Sequence, residues 1–217
     1  TSFIVTNAAG FAHMATLVNG GTTLSGVSIY MLNDINMTDV ANHTPIGVFI
    51  SDDDHSTSFQ GKLYGNGYKV LYLRVEQTEL NGAGLFGAAY KATFSDIGIF
   101  GGSVKSANRA GGIAGYADKC TFINCYNTAH VTTLTGKDGA GGLAGVSRKT
   151  TTFTNCFNLG TITATVDHAG GLSGWGQTNA ILENCFNLGV VNATNKQALI
   201  RYDGAITTTP NASYYLP

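Results

Sequence analysis

The sequence predicts an all-β solenoid of about six stacked coils with a short capping helix at its N-terminus. Two recurring phrases carry this prediction. One is glycine-rich, of the form Gly-Gly-Leu-Ala-Gly, and its last glycines are Gly87, Gly115, Gly145 and Gly174. The other is Asn-Cys-aromatic-Asn, which begins at Asn124, Asn155 and Asn184. One unit therefore takes about 29 residues, a period typical of stacked repeats.

Composition narrows the class of protein further. Only 12% of the 217 residues are charged and the net charge is −1, so there is no basic run of the kind that binds nucleic acid. The apolar stretches are far shorter than about 18 residues, so we expect no membrane insertion. A hydrophobic fraction of 43% argues against disorder. Because the sequence starts at Thr1 without Met or a signal peptide, we expect a mature or excised segment, part of a larger chain.

The first element is the predicted helix, from Thr6 to Gly20. Apolar residues fall at helical spacing, Thr6 or Asn7 can cap the start, and Gly20 can end it. The apolar residues are Phe11, Met14, Ala15 and Val18. We expect residues 1–20 to cap the solenoid and residues 21–217 to form its repeats, although the helix could instead be an excursion packed on the side.

Within each unit, a strand follows the Asn-Cys phrase. Val131, Ile162 and Val191 should face inward, and Thr132, Thr163 and Asn192 outward. The two apolar positions of Phe-x-Asn-Cys are three residues apart, which a straight strand would send to opposite faces. A corner at Asn124, Asn155 and Asn184 resolves this, because Asn tolerates the left-handed conformation. Stacked corner amides could then bond from coil to coil.

The cysteines and glycines have structural interpretations. Leu73, Ile97, Cys125, Cys156 and Cys185 should form one interior column. The cysteines are then free buried thiols, or they form a vertical disulfide between adjacent coils. The glycine pairs that start at Gly111, Gly141 and Gly170 should allow unusual φ angles and close backbone approach.

Together these phrases resemble the GLUG repeat, found in bacterial surface proteins and in the non-catalytic part of immunoglobulin-A metallopeptidases. Segments near the N-terminus, such as Pro45-Ile-Gly47 and Gly65-Asn-Gly67, resemble the openings of such domains. The resemblance implies a right-handed parallel β-helix on the extracellular surface of a bacterium. The peptidase motif His-Glu-x-x-His is missing from this sequence, so no catalytic residue carries over.

Catalysis and metal binding find little support in the sequence. The one acidic cluster is Asp52, Asp53 and Asp54, next to His55. Its first interpretation is a solvated loop; a weak calcium site or a catalytic site are the alternatives. We therefore predict no enzyme activity, no catalytic residues and no cofactor.

The predicted function is a non-catalytic module that acts as an adhesin-like binding face or as a spacer. The expected binding face comprises Thr132, Thr163, Asn192, Tyr126, Phe157 and Phe186. Its partner would be a glycan or protein on a host or neighbouring cell. The alternative is a carbohydrate-active β-helix that binds, cleaves or eliminates polysaccharide, which carboxylates from different coils beside exposed aromatics would favour.

Overall fold

The computed structural model describes residues 1–79, 82–135, 138–177, 180–202 and 214–215. It is an all-β solenoid of about seven turns with parallel strands and one short helix, α1 (Ala8–Asn19). The end of the predicted repeat region, residues 203–213 and 216–217, lies outside the described residues.

Four sheets form the walls of the solenoid in its described part. Sheet 1 contains, in spatial order, β1 (Ser2–Val5), β2 (Ser28–Met31), β4 (Lys62–Tyr64), β7 (Thr93–Ser95), β11 (Thr121–Ile123), β16 (Thr152–Thr154) and β21 (Ile181–Glu183). Sheet 2 contains β6 (Phe86–Tyr90), β10 (Ala114–Asp118), β15 (Ala144–Arg148), β20 (Ser173–Gln177) and β25 (Ile200–Tyr202). Each coil passes from sheet 2 to sheet 1.

The coil then continues into sheets 3 and 4. Sheet 3 contains β3 (Ile35–Asn36), β5 (Lys69–Gln77), β8 (Gly98–Ser106), β12 (Tyr126–Asn127), β13 (His130–Thr133), β17 (Phe157–Asn158), β18 (Ile162–Ala164), β22 (Phe186–Asn187), β23 (Val191–Asn192) and β26 (Tyr214–Tyr215). Sheet 4 contains β9 (Ala110–Gly111), β14 (Gly139–Gly141), β19 (His168–Gly170) and β24 (Asn195–Gln197).

The core is a set of columns in which equivalent side chains of successive coils stack. On sheet 1, Phe94, Phe122 and Phe153 are paired in register and fully buried, and adjacent rings lie 5.0 and 4.9 Å apart between centroids. Because each coil covers the one below, a strand of three residues with one inward phenylalanine is enough to complete this column of the core at each level.

The N-terminal segment confirms the predicted helix and adds a strand. Asn7 caps α1 by accepting a hydrogen bond from the Gly10 N–H, and Gly20 ends it. The four apolar residues named above are its buried ones. Six strands of sheet 1 follow residue 21, in agreement with the six expected coils, but β1 lies before the helix and pairs with β2. Residues 1–20 therefore supply the first strand of the stack in addition to the helix.

The inward and outward faces of the repeats are as predicted, with one error in register. Val131, Ile162 and Val191 pair across adjacent coils, and so do Thr132, Thr163 and Asn192. The predicted interior column contains Ile97, Cys125, Cys156 and Cys185. All four are buried, and the residues that directly follow them are paired in register from coil to coil. Leu73 is also buried but pairs with Gly102, so it does not belong to this column. The long strand β5 breaks the spacing on which that alignment relied.

The paired glycines have one of the two predicted roles. None of Gly111, Gly141 and Gly170 has a positive φ, so unusual backbone angles do not explain them. Close approach does: a Cβ at these positions would lie 2.1 to 2.2 Å from a backbone oxygen three residues later. The second glycine of each pair packs against an Asn side chain, as at Gly142, where a Cβ would lie 2.6 Å from Asn158 Oδ1.

Candidate binding surface

The outer face of sheet 3 carries both groups of residues predicted for binding. One column consists of Tyr126, Phe157 and Phe186, paired in register at the start of the sheet 3 segment. The other consists of Thr132, Thr163 and Asn192, a few residues further along each coil. Thr132 and Thr163 are half-buried, whereas Asn192 is exposed. The structure therefore places the predicted residues on one wall of the solenoid, in two separate columns.

The aromatic column is a ladder of stacked rings. Adjacent centroids are 4.9 Å apart, and the ring planes are within 3° and 1° of parallel. Tyr126 lies over Gly98, where an added Cβ would come within 2.1 Å of the ring. Partial burial raises the pKa of the Tyr126 hydroxyl. Because neighbouring rings cover each other's faces, the column presents ring edges to solvent.

Three apolar residues that we did not predict lie between the two columns. Leu159, Leu188 and Val190 are 46, 50 and 59% exposed, and they follow Phe157 and Phe186 at outward positions on successive coils. We call the set Tyr126, Phe157, Phe186, Leu159, Leu188 and Val190 the apolar stripe. A sequence signal existed, because Asn-Leu-Gly follows the Cys-Phe phrase in two consecutive units. A contiguous exposed apolar patch of this kind is typical of an interaction surface.

Buried amides hold the strands beneath the stripe. The side chain of Asn127 donates to Asn158 Oδ1, and Asn158 donates to Asn187 Oδ1, both at 2.8 Å. Each amide also closes its own turn: Asn158 donates to Gly160 O at 2.8 Å and accepts from Gly160 N–H at 3.2 Å. We call Asn127, Asn158 and Asn187 the inner Asn ladder. It fixes the spacing of the coils directly behind the aromatic column.

The loop that contains Asp52, Asp53 and Asp54 lies on the outer face of sheet 2, whereas the apolar stripe lies on sheet 3. It belongs to a strap, residues 48–58, whose ends are tied by the Val48 N–H to Thr57 O hydrogen bond at 2.9 Å. Phe49 packs on Tyr116 with ring centroids 4.5 Å apart. The imidazole of His55 stacks on Tyr90 at 3.7 Å. The strap therefore covers part of sheet 2 with its own aromatic side chains.

Under the strap, charged residues from several coils meet. Arg148 forms an ion pair with Asp52 at 3.1 Å and donates to the Tyr116 hydroxyl at 3.1 Å. The carboxylate of Asp118 is fully buried, 3.6 Å from His55 Nε2 and 3.3 Å from Lys149 Nζ. Burial raises the pKa of the Tyr116 hydroxyl and lowers the pKa of His55. The sequence alone does not reveal this cluster, because its members are far apart along the chain.

This cluster is closed rather than open to a substrate. Asp118 and Tyr116 are buried, and Asp52 is occupied by Arg148 and Tyr116. Hydrogen bonds from the side chain of Ser56 and from its N–H, the latter at 2.9 Å, lower the pKa of the Asp54 carboxyl group. Among the described residues, no group of three or more His, Cys, Asp or Glu is arranged to hold a metal ion, and Asp52, Asp53 and Asp54 do not form one.

The four cysteines are free thiols in the core. All are fully buried, and Cys125, Cys156 and Cys185 donate weak hydrogen bonds to carbonyl oxygens of the preceding coil at 3.3 to 3.5 Å. Desolvation raises the pKa of the Cys120 thiol to about 12, and the pKa of Cys156 is raised for the same reason. These thiols pack as small apolar side chains. Of the two predicted alternatives, free buried thiols or a vertical disulfide, the structure has the free thiols.

Comparison with known proteins agrees with this geometry. Residues 106–132 match the GLUG motif. A search of curated proteins finds no match. Among solved structures, a candidate immunoglobulin A1 protease from Bacteroides ovatus is similar, with a TM-score of 0.69 and 20% sequence identity. The similarity covers 94% of this chain and 63% of that chain, so this chain spans under two-thirds of its structural neighbour. At this identity the likeness establishes the solenoid fold alone.

The motif match covers one coil, from the end of β8 through β10 and β11 to β13. It spans a glycine phrase, an Asn-Cys corner and the inward Val131, and the following coils repeat the two phrases and carry Ile162 and Val191 at the inward position. Within the described ranges, no helix is long and apolar enough to cross a membrane.

Proposed function

We propose that this chain is a non-catalytic repeat module of a longer secreted or cell-surface protein, and that it binds a partner protein through the apolar stripe. The GLUG match and the solenoid fold support a repeat module. The observation that carries the binding role is the contiguous exposure of Leu159, Leu188 and Val190 beside the aromatic ladder. Interface cores in proteins are enriched in such aromatic and aliphatic side chains.

A protein fits this surface better than a sugar does. Sugar-binding aromatic side chains offer a ring face to the sugar, whereas Phe157 and Phe186 turn their faces to each other. Repeated display of such a surface on a cell would strengthen a weak contact through avidity.

The test is a binding screen of the whole chain against immobilised matrix proteins, serum proteins and glycans. The variant Leu159→Ser/Leu188→Ser/Val190→Ser should weaken binding to a protein of the panel by about tenfold. The matched control, Ile123→Ser/Ile181→Ser, removes apolar side chains from the outer face of sheet 1 and should leave binding unchanged. Binding to no protein, or equal loss in both variants, would reject the proposal in favour of a spacer role.

A further inference from the structure

A column of lysines occupies the corner between sheets 2 and 1. Lys91, Lys119 and Lys149 follow β6, β10 and β15, and all have positive φ angles of 52°, 57° and 42°. Backbone hydrogen bonds align them: the Lys91 N–H donates to Asp118 O at 2.9 Å, and the Lys119 N–H donates to Arg148 O at 3.1 Å. We call these three residues the lysine corner.

Lysine is an unfavourable choice for this position in two respects. The left-handed conformation brings Cβ close to the following carbonyl oxygen, and Lys lacks the short polar side chain that lets Asn offset this. Neighbouring strands are about 4.8 Å apart, so ammonium groups at equivalent positions of adjacent coils also repel each other. A chain that spends only 12 residues on Lys and Arg places three of them here. Backbone strain that recurs at one position of the repeat, with a residue type poorly suited to it, is a sign of function.

The charges of this corner are only partly neutralised by the protein. Lys149 lies 3.3 Å from the buried Asp118, whereas among the described residues Lys91 and Lys119 form no ion pair with a carboxylate. Instead their ammonium groups lie over the Tyr90 ring, 5.0 and 5.8 Å from its centroid. Both lysines are exposed, so their charges remain free to meet an external anion.

The neighbouring column of sheet 1 extends this surface with hydroxyl groups. Thr93, Thr121 and Thr152 are paired in register, half-buried and outward, and the exposed Lys62 continues their column on the preceding coil. The result is a straight edge along the solenoid axis, with ammonium groups on the corner and hydroxyl groups beside it. A linear partner that carries regularly spaced anions and many hydroxyl groups is complementary to this edge.

We propose that the lysine corner and the threonine column beside it bind an acidic polysaccharide, with carboxylate or sulfate groups of the sugar chain meeting Lys91, Lys119 and Lys149. A nucleic acid fits less well, since base stacking needs a free aromatic face and Tyr90 is covered by His55 and the lysines. The convex corner favours an extended chain over a small free anion. This surface is separate from the apolar stripe, so each proposal can fail alone.

The experiment measures fluorescence anisotropy of labelled heparin and polygalacturonate oligosaccharides, which represent the sulfate and carboxylate sources, titrated with the whole chain. We expect binding at about 50 mM salt that falls steeply towards 200 mM. The variant Lys91→Gln/Lys119→Gln/Lys149→Gln should weaken it by about tenfold or more. Lys91→Arg/Lys119→Arg/Lys149→Arg should retain it, because the charge is kept.

The matched control is Lys69→Gln/Lys105→Gln/Lys196→Gln, which removes the same charge from sheets 3 and 4 and should change affinity by less than about twofold. Circular dichroism melting verifies that each variant is folded. The proposal is overturned if neither oligosaccharide binds at low salt, if the control loses affinity equally, or if duplex DNA or an acidic protein binds as tightly through the same lysines.

Discussion

Two left-handed corners flank sheet 1, and they solve the same backbone problem with different residues. At the corner towards sheet 3, Asn155 donates to Asn124 Oδ1 at 3.0 Å, and Asn124 donates to Asp96 at 2.7 Å. At the corner towards sheet 2 stand the three lysines. An amide can both donate and accept, so the asparagine corner satisfies itself from coil to coil. An ammonium group can only donate, so the lysine corner needs a partner of another kind.

The two corners differ in how well the residue type suits the left-handed backbone. The asparagine corner has φ angles of 53°, 54° and 51° at Asn124, Asn155 and Asn184, which suit the residue type. It therefore needs no ligand to explain it. The lysine corner has similar backbone angles with a poorer residue. Within the protein Lys149 pairs with the buried Asp118, whereas the exposed Lys91 and Lys119 are the residues that the proposed polysaccharide would contact.

The largest expected effect on stability comes from the inner Asn ladder, because its amides are buried. Asn158→Ala removes four hydrogen bonds and leaves buried donors and acceptors of Asn127, Gly160 and Asn187 unsatisfied. We expect the free energy of unfolding to fall by about 3 kcal/mol. Urea denaturation measures this. A loss below about 1 kcal/mol would mean that water replaces the buried amide.

A smaller loss is expected at the exposed asparagine corner. Asn155→Ala keeps the positive φ without the local compensation that Asn provides, and it breaks the ladder between Asn124 and Asn184. We expect the free energy of unfolding to fall by about 1 to 2 kcal/mol. Asn155→Gly serves as the control, because glycine removes the strain and reports the ladder alone. If both variants were equally stable, strain would contribute nothing here.

The lysine corner should respond in the opposite direction. Lys119→Asn places a residue suited to the left-handed conformation between Lys91 and Lys149 and removes one of three stacked charges. We expect a gain of up to about 1 kcal/mol in stability, together with weaker binding of the acidic oligosaccharides. Thermal melting and anisotropy on the same sample decide this. A destabilised variant would show that the lysine has a structural role.

The smallest expected effect is a pH dependence of stability that arises from two histidines. Burial lowers the pKa of His43 and of His55 below 6.5. The unfolded chain therefore takes up protons first, so stability is fully present above about pH 6.5 and declines as pH falls towards the folded-state pKa values. His55→Phe keeps the stacking on Tyr90 and should reduce this decline, whereas His13→Gln, at an exposed residue, should not. Unfolding in urea across the pH range measures the slope, and an unchanged slope in His55→Phe would contradict the assignment.

Much of the fold follows from repetition in the sequence, and most of the surface does not. The Asn-Cys phrase predicts the corner at Asn124, Asn155 and Asn184 because one residue type has to resolve a conflict of side-chain direction there. The inner Asn ladder went unpredicted, although Asn127, Asn158 and Asn187 recur equally regularly, because the sequence does not tell whether an Asn at that position faces inward. The Leu73 error shows that the register is lost where a unit departs from the repeat length.

By itself the sequence determined the period, the helix, the inward column of Val131 and Ile162, and the left-handed asparagine corner. The helix follows from the helical spacing of its own apolar residues, and the other features depend on contacts between equivalent positions, so a repeat in one dimension implies them. Only the tertiary structure decided how the strap seals Asp118 and that Leu159 and Leu188 are exposed as part of a stripe. The lysines are an intermediate case. Each lies four residues after the last glycine of a glycine phrase, at Gly87, Gly115 and Gly145, so the repeat marks their column. The strap is different, because its contacts with sheet 2 join positions far apart in the chain, which no repeat implies.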